Sequence, residues 1–305
     1  MSASPKSAAQ GALLAAQRQQ RPRINSTMAC DTAFRVVARR CLEDLTANHA
    51  ATCRGDPIAL HQMRIALTAL RTAISFFSPM VIDSRQIWVK RELKWLNTQL
   101  GTVRDLDVAI ERLNDQIAAT ASNAVLPTLE TEARAGHRRL ARSLLSTRFR
   151  RLVEGTSGWA ENGPWSTAKT RRAARQRASP IAAYSAHKLT GWLQNLLRKS
   201  RKLGDMGAEK RHRLRLTNKK LCYSIEFLED LFPDKNSKQR IALKHLRKAQ
   251  KSLGQLNDDA TAQSLAAALS ARPFLPSLGP KSEKRLVRTT AAAYRKLTAL
   301  KPAFA

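Results

Sequence analysis

One helix-period pattern, present twice, constrains this chain more than anything else in it. Leu60 to Phe77 reads LHQMRIALTALRTAISFF. At about 100° per residue, His61, Arg64, Thr68 and Arg71 fall within an arc of roughly 80°. Leu60, Met63, Leu67, Leu70, Ile74 and Phe77 fill the arc beside it. The apolar arc buries against other helices, and the basic arc faces water or an anion. Arg211 to Leu228 reads RHRLRLTNKKLCYSIEFL. Aligning His61 with His212 pairs Arg64 with Arg215, Thr68 with Lys219, Leu70 with Leu221, Arg71 with Cys222 and Ile74 with Ile225, an offset of 151. A second pair of segments, LKWLNTQLGTVRDLDVAI from Leu93 and LRKAQKSLGQLNDDATAQ from Leu246, matches at an offset of 153. It pairs Leu100-Gly101 with Leu253-Gly254 and Asp105 with Asp258. Two matches at nearly one offset predict a duplicated half.

HQMR with LTALR, then GTVRDLDV, then RHRLRLTNKKLCYSIEFLEDLF and LGQLND, resembles the CHAD family (conserved histidine α-helical domain) over roughly residues 27 to 305. The resemblance implies an all-α fold of two pseudo-symmetric helical bundles, with histidine and basic side chains lining a groove or pore. It also implies binding of inorganic polyphosphate. This chain departs from the family at Thr68-Ala69, where Arg-Arg is common, and at Cys222, where Arg is common. Fewer cations at the centre of the site follow from both.

The charge agrees with a polyanionic partner. Lys and Arg number 54 against 23 acids, a net charge of +31, and such a field calls for a polyanion or a dense counterion atmosphere. Hydrophobic residues make up 43 % of a 305-residue chain, enough to bury a large core, and the abundance of Ala and Leu favours helix over sheet. The cysteines, Cys30, Cys41, Cys53 and Cys222, form no CxxC pair and read as small core residues in a reducing compartment. No metal site, no cofactor and no membrane span is expected. The expected location is the cytoplasm, on polyphosphate granules.

Residues 1–26, rich in Ala, Ser, Gln and Arg and free of acids, read as a disordered basic arm. Residues 27–305 read as one CHAD domain: a first half over about 27–155, a linker over about 155–179 and a second half over about 180–305. A first helix is expected from about Thr27 to Thr52. Asp56 then caps the first motif helix with Pro57 at its first position, and Gly204-Asp205 is the expected counterpart. Gly101 ends or loosens the helix that begins near Asp83-Ser84. Gly158, Gly163 and Pro164 predict a loop between the halves.

The candidate polyphosphate contacts are His61, Arg64 and Arg71 on the first motif and His212, Arg215, Lys219 and Lys220 on the second. Arg35 and Arg39, one face of the first helix, join them, as do Arg142, Arg198 and Lys202. Asp105, Asp107 and Asp258 read as orienting carboxylates that hold a motif cation in place. Arg offers planar multi-donor contacts to phosphate oxygens, and His donates one bond when neutral and two when protonated. Catalysis is not expected: Glu130, Glu132 and Arg134 spell ExExR, but on a helical pattern and without the clustered carboxylates a metal-dependent phosphatase needs. Two rival readings stand beside polyphosphate binding. One is a non-specific nucleic-acid binder, which the charge permits but an aromatic content of 5 % does not favour; weak binding at low salt is expected. The other is an accessory domain of a polyphosphate- or triphosphate-processing enzyme.

Overall fold

The computed structural model describes residues 22–117, 126–167, 170–268, 278–300 and 303–304. Within them the chain is all-α; the one β-type pairing is an isolated bridge between Ala29 and Pro180. The helices are α1 (Cys30–Ala47), α2 (His49–Cys53), α3 (Pro57–Phe76), α4 (Ser84–Ile117), α5 (Leu126–Leu144), α6 (Thr147–Asn162), α7 (Arg171–Ala178), α8 (Ile181–Ser200), α9 (Ala208–Phe227), α10 (Lys238–Ala268) and α11 (Pro280–Ala299). The motif helices α3 and α9 are each 20 residues long, and both their ends lie at the sequence offset.

Local chemistry explains where α3 begins. The Asp56 carboxylate accepts from the Ile58 and Ala59 amides at 2.8 and 3.2 Å, with Pro57 at the first position, satisfying donors the helix cannot. The apolar arc then buries as the period predicts: Leu60, Met63, Leu67, Leu70 and Ile74 are each no more than 1 % exposed. The second motif starts differently. Asp205 closes a 3-10 turn, Leu203–Asp205, and Gly207 precedes α9 without a side-chain cap, so Gly204-Asp205 does not repeat the role of Gly55-Asp56.

α3 packs on α1, α2 and α4; α9 packs on α8 and α10; and α3 packs on α9 at the seam between the halves. The core is continuous across that seam rather than split between two bundles. Phe34 lies 5.4–5.7 Å from Phe77, Trp159 and Trp165. Phe76 meets Phe227 at 5.6 Å, and the Tyr184 hydroxyl donates to the Phe76 carbonyl at 2.6 Å. Phe34, Phe76, Phe77, Trp159 and Trp165 are fully buried, each contributing about 1.5–3 kcal/mol.

Several expectations need correction. The first helix is two, interrupted at Asn48. The expected linker is largely helical: α6 runs through Gly155 and Gly158, and α7 covers Arg171–Ala178. A side chain at Gly155 would meet the Trp88 ring at 2.6 Å, so this glycine lets α6 close onto α4 where the expected linker begins. Asp83 then pins the end of that segment, accepting from Trp159 Nε1 at 3.0 Å and the Trp165 amide at 3.0 Å. α4 does not stop at Gly101 but continues to Ile117. Of the expected disordered arm, residues 1–21 lie outside the described residues. The described end is docked: Ile24 is buried and its amide donates to Asp230 Oδ2 at 3.0 Å. Arg40 joins the same carboxylate at 2.8 Å and bonds the Pro22 carbonyl.

Candidate functional site

α3 and α9 turn their basic arcs toward one another, and α4 and α10 wall the space between them. The result is a cleft of about 590 Å³. α3 supplies His61, Arg64, Thr68 and Arg71; α9 supplies His212, Arg215, Lys219 and Tyr223. α4 contributes Asn97, Arg104 and Asp105, and α10 contributes Asn257, Asp258 and Thr261. Four arginines and one lysine thus face two carboxylates. A second basin of about 540 Å³ shares Thr68, Arg71, Leu216 and Lys219 with the cleft and adds Lys90, Lys94 and Lys220, with no acid in its lining. Together they form a cationic trough along the seam.

The geometry of the cations differs from one to the next. Arg64 lies against α4: its Nη1 donates to the Leu100 carbonyl at 3.3 Å and stands 3.9 Å from Asp105 Oδ1. Arg104 is paired with Glu111 at 2.8 and 3.2 Å. His212 Nδ1 bonds Asn257 Oδ1. Arg215 has a buried Nε for which the described residues supply no hydrogen-bond partner.

The crowding of like charge shows in the titration of the site. Burial pushes the Lys219 ammonium down to about 8, and Arg215, Arg64 and Arg71 push it the same way, with Asp258 opposing. Burial lowers His61 too, followed by Arg104, Arg64 and Lys219, so His61 is neutral at pH 7. Burial raises the Asp105 carboxyl, Arg64 opposes, and Asp258 adds to the rise. A site that shifts its own cations toward neutrality gains by taking up an anion.

The remaining predicted contacts are elsewhere. Arg35 donates to the Glu161 carbonyl at 2.8 Å and pairs with Asp31, while Arg39 makes two 3.0 Å bonds to the Glu161 carboxylate. Both tie α1 to α6, since that face of α1 looks at α6 rather than at the seam. Arg142 lines a shallow depression with Arg139, Arg148 and Trp95. Arg198 bonds Asn195 at 2.9 Å in a depression between α8 and α11, and Lys202 stands exposed in the turn after α8. None of the three lines the cleft. Asp107 is not an orienting carboxylate for the motif: two residues beyond Asp105 it points to the opposite side of α4, is buried, and bonds His137 Nε2 of α5 at 2.9 Å. Cys222, the register mate of Arg71, is 5 % exposed, and burial pushes its thiol up.

Arg104, Asn97, Asn257 and Tyr223 line the cleft without having been singled out in the sequence. A signal existed. Asn97, Asp105 and Val108 share one face of a helix, as do Asn257, Asp258 and Thr261, and the two stripes lie in the matched segments that follow each motif. Among the described residues no group of three or more His, Cys, Asp or Glu is placed to hold a metal ion, and no helix is long and apolar enough to cross a membrane.

Comparison with known proteins places this geometry. No curated protein matches the chain. Among solved structures, the crystal structure of the CHAD domain from the plant Ricinus communis superposes with a TM-score of 0.72 at 25 % identity, covering 93 % of this chain and 91 % of that one. PptA from Streptomyces chartreusis superposes with a TM-score of 0.52 at 15 % identity over 91 % of this chain and 98 % of that one, a likeness of fold. The CHAD domain model matches residues 36–267, a span that includes both motif helices and both flanking helices, and the chain belongs to the CHAD domain family.

Proposed function

We propose that this protein binds inorganic polyphosphate in the trough between α3 and α9 and does not hydrolyse it. One observation carries the reading: Arg64, Arg71, Arg215 and Lys219 converge from two helices into one cleft, where burial first and the three guanidinium groups next depress Lys219. A dense anion relieves that repulsion. Membership of the CHAD family points the same way. The cleft has little to offer a nucleobase, since its aromatic ring, Tyr223, carries Lys219 at 5.7 Å from the ring centroid, and single-strand binders need open rings for stacking. The common register of α3 and α9 supports descent of the two halves from one duplicated unit. A cytoplasmic protein with this trough would sit on polyphosphate granules.

Incubation of the full chain with long-chain polyphosphate and Mg²⁺, followed by gel filtration and an orthophosphate assay, tests both parts. Polyphosphate should co-elute with the protein and no orthophosphate should appear above the buffer control. Turnover that vanishes in Asp105→Asn would make the cleft an active site, and failure to co-elute would remove polyphosphate as the ligand.

A further inference from the structure

Gly101 sits in the middle of a 34-residue helix, where a glycine is less favourable than alanine by about 1 kcal/mol. Its φ is not in the left-handed region, so backbone conformation does not demand it. The space above it is occupied. A Cβ at Gly101 would stand 3.4 Å from Arg64 Nη1, and Arg64 is its one close neighbour. The same Nη1 donates to the carbonyl of Leu100, the preceding residue, at 3.3 Å. One turn on, Asp105 Oδ1 lies 3.9 Å away. The guanidinium therefore rests on bare α4 backbone, with a carbonyl on one side and a carboxylate on the other. The matched glycine of the second half, Gly254, has nothing within 4 Å of the same constructed position, and Arg215 there keeps an unpartnered Nε.

We infer that Gly101 is a positioning residue for anion binding: it leaves a seat on α4 that fixes the Arg64 guanidinium in the cleft before the ligand arrives. Gly254 builds no such seat, so Arg215 is the arginine that adapts. A fixed donor array binds with less loss of side-chain freedom than a free one, and Arg loses more such freedom than most residues. The inference rests on the polyphosphate reading for its ligand, but the seat itself is a property of the empty protein.

Four variants of the full chain test it: Gly101→Ala, Gly101→Leu, Gly254→Leu and Arg64→Ala, with Arg64→Ala/Gly101→Leu to close a double-mutant cycle. Alanine reaches only ordinary contact with Nη1 and should keep binding while raising Tm. Leucine, also a good helix former, covers the seat and should weaken long-chain polyphosphate binding as much as Arg64→Ala does, by about tenfold to a hundredfold. The double variant should lose no more than either single, and Gly254→Leu should lose nothing. Equal losses from Gly101→Leu and Gly254→Leu, or additive losses in the double variant, would overturn the seat. A readout free of ligand separates this from failure of the functional reading. Gly101→Leu should raise Tm more in the Arg64→Ala background than in the natural chain, because only the natural chain has a guanidinium to evict; equal shifts contradict the seat whether or not polyphosphate binds.

Discussion

α3 turns Arg71 toward the trough and buries Leu67 in an apolar core, whereas α9 buries Cys222 at the first of these positions and Asn218 at the second. Asn218 Nδ2 donates to the Leu246 carbonyl at 3.1 Å and to Gln250 Oε1 at 2.9 Å, and its Oδ1 accepts from the Tyr294 hydroxyl at 3.2 Å. Cys222, one turn on, faces the same way, with its sulfur 3.7 Å from that amide. The inward face of α9 thus takes in a position that α3 turns out to the trough, and it is held in part by hydrogen bonds where α3 uses dispersion and burial. Register keeps the basic side chains of the N-terminal halves in pairs, His61 with His212 and Arg64 with Arg215, and lets the C-terminal halves diverge. The divergence has a consequence for binding: at the C-terminal end the trough takes its charge from Arg71 on one side and from Lys219 and Lys220 on the other, not from symmetric mates.

The largest effect expected from breaking this comparison is Cys222→Arg, which restores the residue that matches Arg71. An arginine there would be buried without a free partner, because Glu226, one turn on, is already bonded by Arg247 at 3.0 Å. The loss should be about 3–5 kcal/mol, as for an uncompensated buried charge, read as a fall in the urea midpoint. A stable variant that binds polyphosphate more tightly would show that α9 can present this position to the ligand after all.

Next in size are the two motif arginines. Arg64→Ala and Arg215→Ala should each weaken polyphosphate binding by about tenfold to a hundredfold, the range for a charge-assisted contact. Their stabilities should part. Arg64→Ala removes the bond to the Leu100 carbonyl and should lower Tm slightly. Arg215→Ala removes a buried donor without a partner and should leave Tm unchanged or raise it. Equal falls in Tm for both would erase the distinction between a fixed and an adaptable arginine.

Smaller still is a pH effect confined to the second motif. Lys219 titrates at about 8 in the empty protein, and a bound polyanion favours its charged form. Binding therefore takes up a proton above pH 8 and none well below it. Affinity should hold steady from pH 6.5 to about 7.5 and then fall by up to about tenfold per unit as pH rises past 8, the limit for one linked proton. Lys219→Arg, which stays charged, should flatten the curve. A profile unchanged by that substitution would assign the titration to another group.

Much of this was legible in the sequence, and for physical reasons. The 3.6-residue period of α3 fixed which side chains are buried, and the repeated His-x-x-Arg spacing fixed which cations meet in the cleft. Asp56-Pro57 marked the start of α3 because capping is local chemistry. What the sequence hid depends on partners far along the chain. Arg35 and Arg39 look like any basic face until Glu161 is opposite them. Asp105 and Asp107 are two residues apart and alike in composition, yet opposite sides of α4 give them a motif arginine and a half-buried histidine. Gly155 reads as the start of a linker and Gly101 as the end or loosening of a helix because propensity is a local measure, while a ring and a guanidinium brought by other helices decide their roles. Phe76 and Phe227 closed the two halves into one core, an outcome that the periodicity of each helix taken alone does not contain.

Recognition of closely spaced phosphates, rather than of negative charge at large, is open to a competition measurement: labelled long-chain polyphosphate on the full chain, challenged with duplex DNA in equal phosphate concentration, from about 0.05 to 0.2 M salt. Log affinity should fall linearly with log salt, the slope should be shallower by about one in Arg215→Ala, and polyphosphate should stay bound against DNA at about 0.15 M. Displacement by DNA at that salt as effective as displacement by unlabelled polyphosphate would contradict that recognition and make the protein a general polyanion binder.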